Sequence, residues 1–290
     1  MSPILQPSDS SLFIASINSG SNGNCYYVGN EHEAILVDAG ISCRETERRM
    51  SRIGLSIEKV KGIFVSHEHT DHVRGLEMIS KRWDLPIWAT KPTLSRCALG
   101  RSEHRAVAIV PDEPMQIGGL TITGFRKRHD AVDPISFIVE GNGVTVGVFT
   151  DIGRECERLA ARFSQCHAAF LEANYCEAML EEGHYPYNLK KRIRGGYGHL
   201  SNREALEVFM KHRGPKLSHL LLAHLSKDNN NPEVALDLFR PFAGDTHVAV
   251  ASRWEESPVY QITASAAAPT VPGLKLVAQR QAAAIQMPLF

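Results

Sequence analysis

Residues whose types and spacing suit metal-assisted hydrolysis cluster near position 70, where residues 67–72 read His-Glu-His-Thr-Asp-His. A hydrolytic metal site needs imidazole nitrogens and carboxylate oxygens that converge on one point and leave a coordination position for water. The alternate residues His67 and His69 can face the same side of a tight turn, whereas Asp71 and His72 can reach towards a neighbouring second ion. The segment therefore predicts a dinuclear metal centre that performs hydrolysis.

Three further metal-binding side chains, His129, Asp151 and His224, each come at the end of a strand-like run of residues. In α/β folds, ligands gather outside the carboxyl ends of the strands. We therefore expect these three side chains to converge with residues 67–72 in one crevice.

The elements that must position these residues alternate along the chain. Short apolar, β-branched runs predict buried or half-buried strands at residues 34–37, 62–65, 120–123, 144–148 and 219–223. Helix-like stretches predict helices at residues 44–53, 74–83, 155–163, 202–212 and 232–239. Ser201 and Glu204 form a predicted capping box for the fourth helix. This alternation favours a layered α/β domain.

The overall composition is that of an ordinary globular protein. Lys+Arg and Asp+Glu both total 32, so any affinity for a polyanion must come from a local patch. The six cysteines show no CxxC pair, which favours reduced thiols over disulfides. The first eleven residues show no signal-peptide pattern, and no stretch approaches the about 18 apolar residues of a membrane span. We therefore expect a cytoplasmic protein with no membrane contact.

The composition changes near residue 262. We expect one catalytic domain over residues 1–262, with an ordered body that begins near Leu12. Residues 263–285 begin with an Ala/Pro/Thr-rich, aperiodic stretch and are predicted to form a flexible linker. Residues 286–290 are apolar again and form a separate short peptide.

The metal-binding pattern resembles that of the metallo-β-lactamase superfamily over nearly the whole ordered body. In that family an early strand ends in an acidic residue, here Asp38, and the HxHxDH segment, a lone His, a bridging Asp and a final His follow. The resemblance implies a four-layer αββα sandwich of the α/β class. It also implies that one metal is held by His67, His69 and His129, the other by Asp71, His72 and His224, and that Asp151 bridges the two.

Four further segments resemble the YycJ/WalJ type of DNA exonuclease within this superfamily. They are residues 19–24, 185–190, 198–202 and 224–230. Because HxHxDH identifies only the superfamily, these segments carry the more selective resemblance. They imply a phosphodiesterase that acts on DNA, as a 5′-to-3′ exonuclease of DNA repair or replication. His/Asp ligation suits zinc, manganese or iron, and the resemblance favours manganese.

Three residues have predicted roles in catalysis. Two adjacent cations lower the pKa of a bridging water and so supply hydroxide, which Asp71 is expected to orient while it binds metal. Asp38 is expected to hold a metal-binding His in one tautomer; alternatively it caps a turn. His199 lies in a segment similar to a His-containing loop of the tRNA-processing RNase Z branch and is our candidate general acid. The alternative is a buried His before a capped helix.

A basic run beside tyrosines is the first candidate DNA contact. Cations can follow phosphates and tyrosines can stack on bases, although such a run is usually a solvated helix face. The candidate residues are Tyr187, Lys190, Lys191, Arg192 and Arg194.

A Gly-rich turn at residues 19–24 is the second candidate DNA contact. Ser19, Ser21 and Asn24 are predicted to offer hydroxyl, amide and backbone N–H groups to a terminal phosphate. The alternative is that the turn only connects two strands.

The terminal pentapeptide resembles the bacterial sliding-clamp-binding motif Gln-x-x-Leu-Phe. On a flexible tether, Leu289 and Phe290 can enter an apolar groove while Gln286 makes polar contacts. Tethering would raise the local concentration of the enzyme at replicating or repaired DNA. We therefore predict the sliding clamp as a partner beside DNA; a tail that folds back on the domain is the alternative.

Other functions of the same fold are possible. A small-molecule hydrolase of lactones, thioesters or β-lactams is not expected to carry the basic run or the clamp-like tail. For RNA processing, the interval from Asp151 to His224 is too short for the large inserted domain of the RNase J branch. A non-enzymatic module would be expected to have lost a ligand, and a flavodiiron-type redox site has Glu at the position of His69. These comparisons favour a nuclease that acts on DNA ends.

Overall fold

The computed structural model describes residues 11–264, which form two seven-stranded β-sheets flanked by helices. The first strands along the chain are β1 (Ser11–Asn18), β2 (Cys25–Gly29), β3 (Ala34–Val37), β4 (Val60–Phe64), β5 (Ile87–Thr90), β6 (Ala106–Ile109) and β7 (Pro114–Ile117). They are followed by β8 (Leu120–Arg126), β9 (Ile135–Gly141), β10 (Val144–Phe149), β11 (Ala168–Glu172), β12 (His219–Ala223), β13 (His247–Val250) and β14 (Tyr260–Thr263). The sheet orders are β14-β1-β2-β3-β4-β5-β6 and β13-β12-β11-β10-β9-β8-β7.

The helices lie in the connections between these strands. They are α1 (Cys43–Arg52), α2 (Thr70–Val73), α3 (Leu76–Trp83), α4 (Lys91–Arg96), α5 (Glu157–Phe163), α6 (Glu177–Glu182), α7 (Tyr187–Ile193), α8 (Asn202–His212) and α9 (Pro232–Phe239). Short 3₁₀ turns occupy Ile57–Lys59, Gly100–Arg105 and Arg240–Phe242.

Three hydrophobic clusters hold the layers together. The central cluster joins the facing sides of the two sheets, with Tyr26 and Phe64 from one sheet and Phe137 and Phe170 from the other. A second cluster packs α5, α8 and α9 on the outer face of the second sheet, and a third packs α1 and α3 on the first. Because many strands are covered on both faces, their sequences are continuously apolar rather than alternating. The predicted four-layer αββα sandwich is confirmed.

The predicted elements are found, with one correction next to the metal-binding segment. The helix predicted over residues 74–83 begins two residues later, as α3, and the short helix α2 precedes it, with Arg74 and Gly75 between the two. The backbone of Gly75 donates to Ala39 O at 2.8 Å, and a Cβ on this residue would lie 1.9 Å from Ile41 O. Gly75 therefore lies so close to the segment after β3 that only glycine fits between α2 and α3.

Helix α8 begins at the predicted capping box. Ser201 N donates to Glu204 Oε2 at 2.8 Å, and Glu204 N donates to Ser201 Oγ at 3.1 Å. Both N-terminal amides are thereby satisfied, and the start of α8 is fixed three residues after His199.

The last strand, β14, pairs antiparallel with β1, with Ile262 opposite Leu12. Strand β14 thus ends at Thr263, one residue after the predicted boundary at 262. The remainder of the predicted linker, from residue 265, and the terminal pentapeptide lie outside the described residues. Within residues 11–264, no helix combines the length and the apolar character that crossing a membrane requires.

The strand directions bring several strand ends to one edge of the sandwich. β3 and β4 run parallel in the first sheet, and β10, β11 and β12 run parallel in the second. β8 has the same direction as β10, because both are antiparallel to β9. The carboxyl ends of these strands carry the candidate site.

Candidate metal centre

The candidate metal-binding residues directly follow strand ends from both sheets. The HxHxDH segment leaves β4 and continues into α2, whereas His129, Asp151 and His224 follow β8, β10 and β12. Asp38, at the end of β3, Asp151 and His224 all have positive φ, at 62°, 53° and 57°. These left-handed residues turn the chain sharply at the strand ends, where bound groups gather in α/β folds.

The first donor group consists of His67, His69 and His129. One nitrogen from each ring lies within 4.8 Å of those of the other two. His67 Nε2 is 3.1 Å from His69 Nδ1, which is 3.3 Å from His129 Nε2. The structure thus brings together the three residues expected to hold the first metal.

The second donor group consists of Asp71, His72 and His224, whose donor atoms also lie within 4.8 Å of one another. Asp71 Oδ2 is 3.3 Å from His224 Nε2 and 3.5 Å from His72 Nε2. Asp151 lies between the groups, with Oδ2 3.1 Å from His72 Nε2 and Oδ1 3.8 Å from His129 Nε2.

The donor set fits divalent metal ions. Asp151 Oδ2 is buried and accepts no hydrogen bond from residues 11–264. Burying an unpaired carboxylate oxygen costs free energy of folding unless a cation binds it. Imidazole and carboxylate donors together suit zinc, manganese or iron. A shared carboxylate between two clusters of histidines is therefore chemically matched to cations.

The pKa values of the site histidines shift in opposite directions, according to whether carboxylates lie beside each ring. Burial lowers the pKa of His67 well below its usual value, and the neighbouring His72 adds to this effect. Burial also opposes the charging of His72, but Asp151, Asp38 and Asp71 outweigh it and raise the pKa well above normal. His224 behaves similarly, since Asp151 and other carboxylates overcome burial and raise its pKa to about 10. Metal ions and protons therefore compete for these imidazoles.

Hydrogen bonds from Nδ1, the nitrogen on the side away from the proposed metal, hold two of the histidine rings in place. His72 Nδ1 donates to Asp38 Oδ2 at 2.7 Å, while Asp38 Oδ1 accepts from Ser66 N at 2.8 Å. His129 Nδ1 donates to Gly198 O at 2.9 Å. Because each Nδ1 is engaged, Nε2 of each ring is the nitrogen directed towards metal.

Glu172 is a site residue that the sequence reasoning missed. It is fully buried at the end of β11 and accepts from His199 Nδ1 at 2.8 Å and from His224 Nδ1 at 2.9 Å. Burial would raise its pKa, but His199 and other donors hold it at about 2, so the carboxylate stays ionised. A signal was present, because residues 168–171 form an apolar run that ends in this carboxylate.

The prediction that the Gly-rich turn between β1 and β2 contacts DNA needs a correction at two of its three residues. Ser19 is buried, and its hydroxyl accepts from His224 N at 2.7 Å. Asn24 is also buried, with Nδ2 3.2 Å from Asp71 Oδ2 and 3.1 Å from His72 Nε2. Both side chains support the metal donors instead of facing a DNA substrate. Ser21, in contrast, is exposed and lines the cavity at the site.

The basic run on α7 is largely neutralised by local acceptors. Arg192 pairs with Asp130, and Arg194 pairs with Glu181 Oε2 at 2.7 Å. Lys190 donates to the backbone carbonyl of Glu181, whereas Lys191 and Tyr187 are exposed. Of the five predicted contacts, four on α7 and Arg194 just after it, Arg192 lies against the cavity at the metal donors.

This cavity has a volume of about 270 Å³. Its walls include donors from both groups together with Ser21, Tyr185, Arg192, His199 and Ser226. A larger cavity of about 480 Å³, which Phe13 and Leu55 help to line, holds none of these donors. The chemistry of the lining, and not the cavity size, therefore identifies the functional site.

Comparisons with known proteins agree with the fold and place the chain in a known family. The family described as Beta-lactamase superfamily domain matches residues 33–224. Exodeoxyribonuclease YycJ of Bacillus anthracis is 33% identical over 232 residues, which cover 77% of this chain and 86% of the relative. Exodeoxyribonuclease WalJ of Streptococcus pneumoniae is 29% identical over 222 residues, covering 75% and 82%.

A solved structure supports the fold alone. The metallo-β-lactamase fold protein YhfI from Bacillus subtilis superposes with a TM-score of 0.67 at 18% identity, covering 87% of this chain and 99% of the other. Fold and site together define a metal-dependent hydrolase, and the chain belongs to the metallo-β-lactamase superfamily. Within that superfamily it is of the YycJ/WalJ type.

We predict that Asp38→Ala weakens metal binding about 10- to 100-fold, because His72 loses the acceptor that orients its ring. Asp38→Asn keeps an acceptor and tolerates the positive φ, so a smaller loss is expected. Metal titration of the purified variants measures the effect, with far-UV circular dichroism to verify folding. Asp237→Ala removes an exposed carboxylate that pairs with Arg240 and serves as the control. Unchanged affinity in Asp38→Ala would contradict the assigned contact.

Proposed function

We propose that this protein is a dinuclear metal-dependent phosphodiesterase that acts on DNA, as a 5′-to-3′ exonuclease in DNA repair or replication. The observation that carries the proposal is the pair of donor groups joined by Asp151 beside His199. Support for DNA as the substrate comes from the two relatives named as exodeoxyribonucleases. Polarity and cellular role rest on the resemblance of residues 19–24, 185–190, 198–202 and 224–230 described above.

The proposed metal assignment divides the donors between two ions. His67, His69 and His129 would hold one ion, Asp71, His72 and His224 would hold the other, and Asp151 would be shared between them. When bound, the ions supply a nucleophilic hydroxide at neutral pH and stabilise negative charge on the phosphoryl oxygens. Manganese is favoured, and the donor set also suits zinc or iron.

Asp71 is proposed to orient the nucleophile as well as to bind metal. Its carboxylate lies at the cavity, and Asn24 Nδ2 contacts Oδ2 at 3.2 Å. The surrounding His72 and His224 help to lower its pKa to about 2 against the effect of burial. Asp71 is therefore an ionised acceptor, which can hold the hydrogen of an attacking oxygen in a fixed direction.

His199 is proposed to protonate the leaving oxygen. It lines the cavity between His129 and His224, with ring centroids 5.4 Å and 5.2 Å away. Because Nδ1 is bonded to the ionised Glu172, Nε2 is the nitrogen that can donate to a substrate.

The proposed DNA contacts begin at the cavity mouth. Ser21 and Arg192 line the cavity, and Tyr187 and Lys191 are exposed on the adjoining helix α7. To bind a phosphate, Arg192 must break its ion pair with Asp130. Lys190 and Arg194 are both bonded to Glu181 and do not line the cavity. The contacts on α7 are therefore proposed to contribute unequally.

We predict that the purified protein with added manganese degrades end-labelled DNA, and that His69→Ala reduces cleavage below detection because the first metal loses a donor. Duplex and single-stranded DNA, each labelled at either end, report polarity from the order in which nucleotides are released. An RNA of the same sequence, a lactone and a thioester are tested in parallel. Turnover of these alternatives without DNA cleavage by the wild type would overturn the proposal.

We predict that His199→Ala lowers kcat by about 10²- to 10⁴-fold, because the leaving oxygen departs without a proton. A DNA with sulfur in place of the leaving oxygen should recover most of this loss, since a thiolate needs no proton to leave. Metal content is measured in both proteins to exclude loss of the ions. An equal deficit on the oxygen and sulfur substrates would refute the role as general acid.

The sliding clamp is a proposed partner. Gln286, Leu289 and Phe290 lie outside the described residues, so the proposal rests on the resemblance of the sequence to the clamp-binding motif. We predict that Leu289→Ala combined with Phe290→Ala weakens clamp binding at least about tenfold, because apolar anchors carry most of the affinity of short peptides. Binding is measured by titration with purified clamp, and DNA cleavage without clamp serves as the control. Undiminished binding would remove the clamp as a partner through this motif.

A further inference from the structure

Arg253 lies in the connection between β13 and β14 with a charge that the described protein does not neutralise. The side chain is half-buried, and its Nε and Nη1 atoms are covered but bond to no acceptor among residues 11–264. Its remaining nitrogen, Nη2, is 3.4 Å from Ser21 Oγ. Covered donors without acceptors are rare, because each one forfeits its hydrogen bond to water.

The backbone around Arg253 is fixed against the turn that adjoins the metal centre. Asn22 Nδ2 donates to Arg253 O at 2.9 Å, and the next carbonyl, Trp254 O, accepts from Arg49 Nη2 at 2.9 Å. Ser21, which Arg253 touches, lines the same cavity as the metal donors. The guanidinium is therefore held beside the reaction site by contacts that leave the charge itself available.

The polar groups that face Arg253 do not form an ion pair with its guanidinium. Asp228 and Tyr185 act on the guanidinium electrostatically, but Tyr185 Oη donates to Asp228 Oδ2 at 2.8 Å. Within the described chain, Asp228 forms no ion pair with Arg253. Arg192 and Arg194 differ in this respect, since each pairs with a carboxylate.

Trp254 places an exposed aromatic ring next to this cation. Its side chain is 69% exposed, although its amide donates to Ser252 Oγ at 3.0 Å and its carbonyl is also bonded. Arg253 Cζ lies 5.5 Å from the ring centroid. A fixed backbone that presents an indole to solvent beside a guanidinium matches the stacking platforms of single-stranded nucleic-acid sites.

We propose that Arg253 and Trp254 form a nucleotide-binding site beside the metal centre, in which the guanidinium binds a phosphate of the DNA strand and the indole stacks on a base. The site rests on the proposed function, and it adds a contact from the β13–β14 connection to those proposed on α7. A guanidinium suits phosphate because its planar donors match two phosphate oxygens. Stacking on an indole tolerates any base, because every base has a π-face.

The test compares Trp254→Ala and Arg253→Gln with the wild type on single-stranded DNA in manganese. For Trp254→Ala, KM is expected to rise about 5- to 150-fold while kcat stays unchanged. For Arg253→Gln, the slope of log affinity against log salt concentration should become shallower by about 0.7, because one phosphate contact is lost. Affinity is read by fluorescence anisotropy with DNA in the His69→Ala background, where cleavage does not interfere.

Two matched controls separate this site from general effects on charge and aromatic surface. Arg158→Gln removes an exposed guanidinium that pairs with Asp112, and Phe242→Ala removes an aromatic ring that is 41% exposed. Wild-type KM and salt slope are expected for both controls. Melting temperatures verify the folding of every variant.

The possible outcomes distinguish the two proposals. DNA cleavage by the wild type, with Arg253→Gln and Trp254→Ala matching the controls, would overturn this site and leave the proposed function standing. A fall in kcat without a change in KM or salt slope would also overturn it. If the wild type neither binds nor cleaves DNA, both proposals fail.

Discussion

Negative charge buried between the two sheets is the constraint on which the rest of the structure depends. Asp38 and Glu172 are fully buried and Asp151 is 2% exposed, and all three lie within one cluster. A buried carboxylate costs several kcal/mol unless charged or hydrogen-bonding partners offset the loss of water. Backbone amides of Ser66, Ile152 and Leu200 donate to two of them, and imidazoles surround all three. The arrangement is stable because positive charge, from protons or metal ions, has a defined place in it.

Three residues at the strand ends adopt a strained backbone conformation that places their side chains in this cluster. Asp38, Asp151 and His224 adopt positive φ immediately after β3, β10 and β12. A non-glycine residue in this conformation costs on the order of 1–3 kcal/mol, which the surrounding contacts must offset. His224 shows how this is done, since its backbone N–H donates to Ser19 and its ring to Glu172. The turn after β1 therefore supports a donor that lies about two hundred residues further along the chain.

The sequence predicted the residues whose chemical type is unusual for their position. Three histidines within six residues, and polar residues that end apolar runs, indicated the donor groups and the sheets that carry them. Glu172 was not predicted as a site residue, because strand β11 was not predicted and nothing else placed this glutamate at a strand end. The inward orientation of Ser19 and Asn24 could not be predicted, since a Gly-rich turn may direct its side chains either way. Arg253 and the paired arginines of α7 depend on which distant carboxylates come close, and only the folded chain determines this.

The order of the donors along the chain has a consequence for synthesis. The first donor group is complete once residue 129 has been made, whereas the second lacks His224 for almost another hundred residues. Because domains of this size fold as units, β12 must pair with β11 before His224 reaches Asp71. A growing chain that has not yet reached β12 therefore lacks one donor of the second group, so the complete pair of donor groups forms only after this strand has been made.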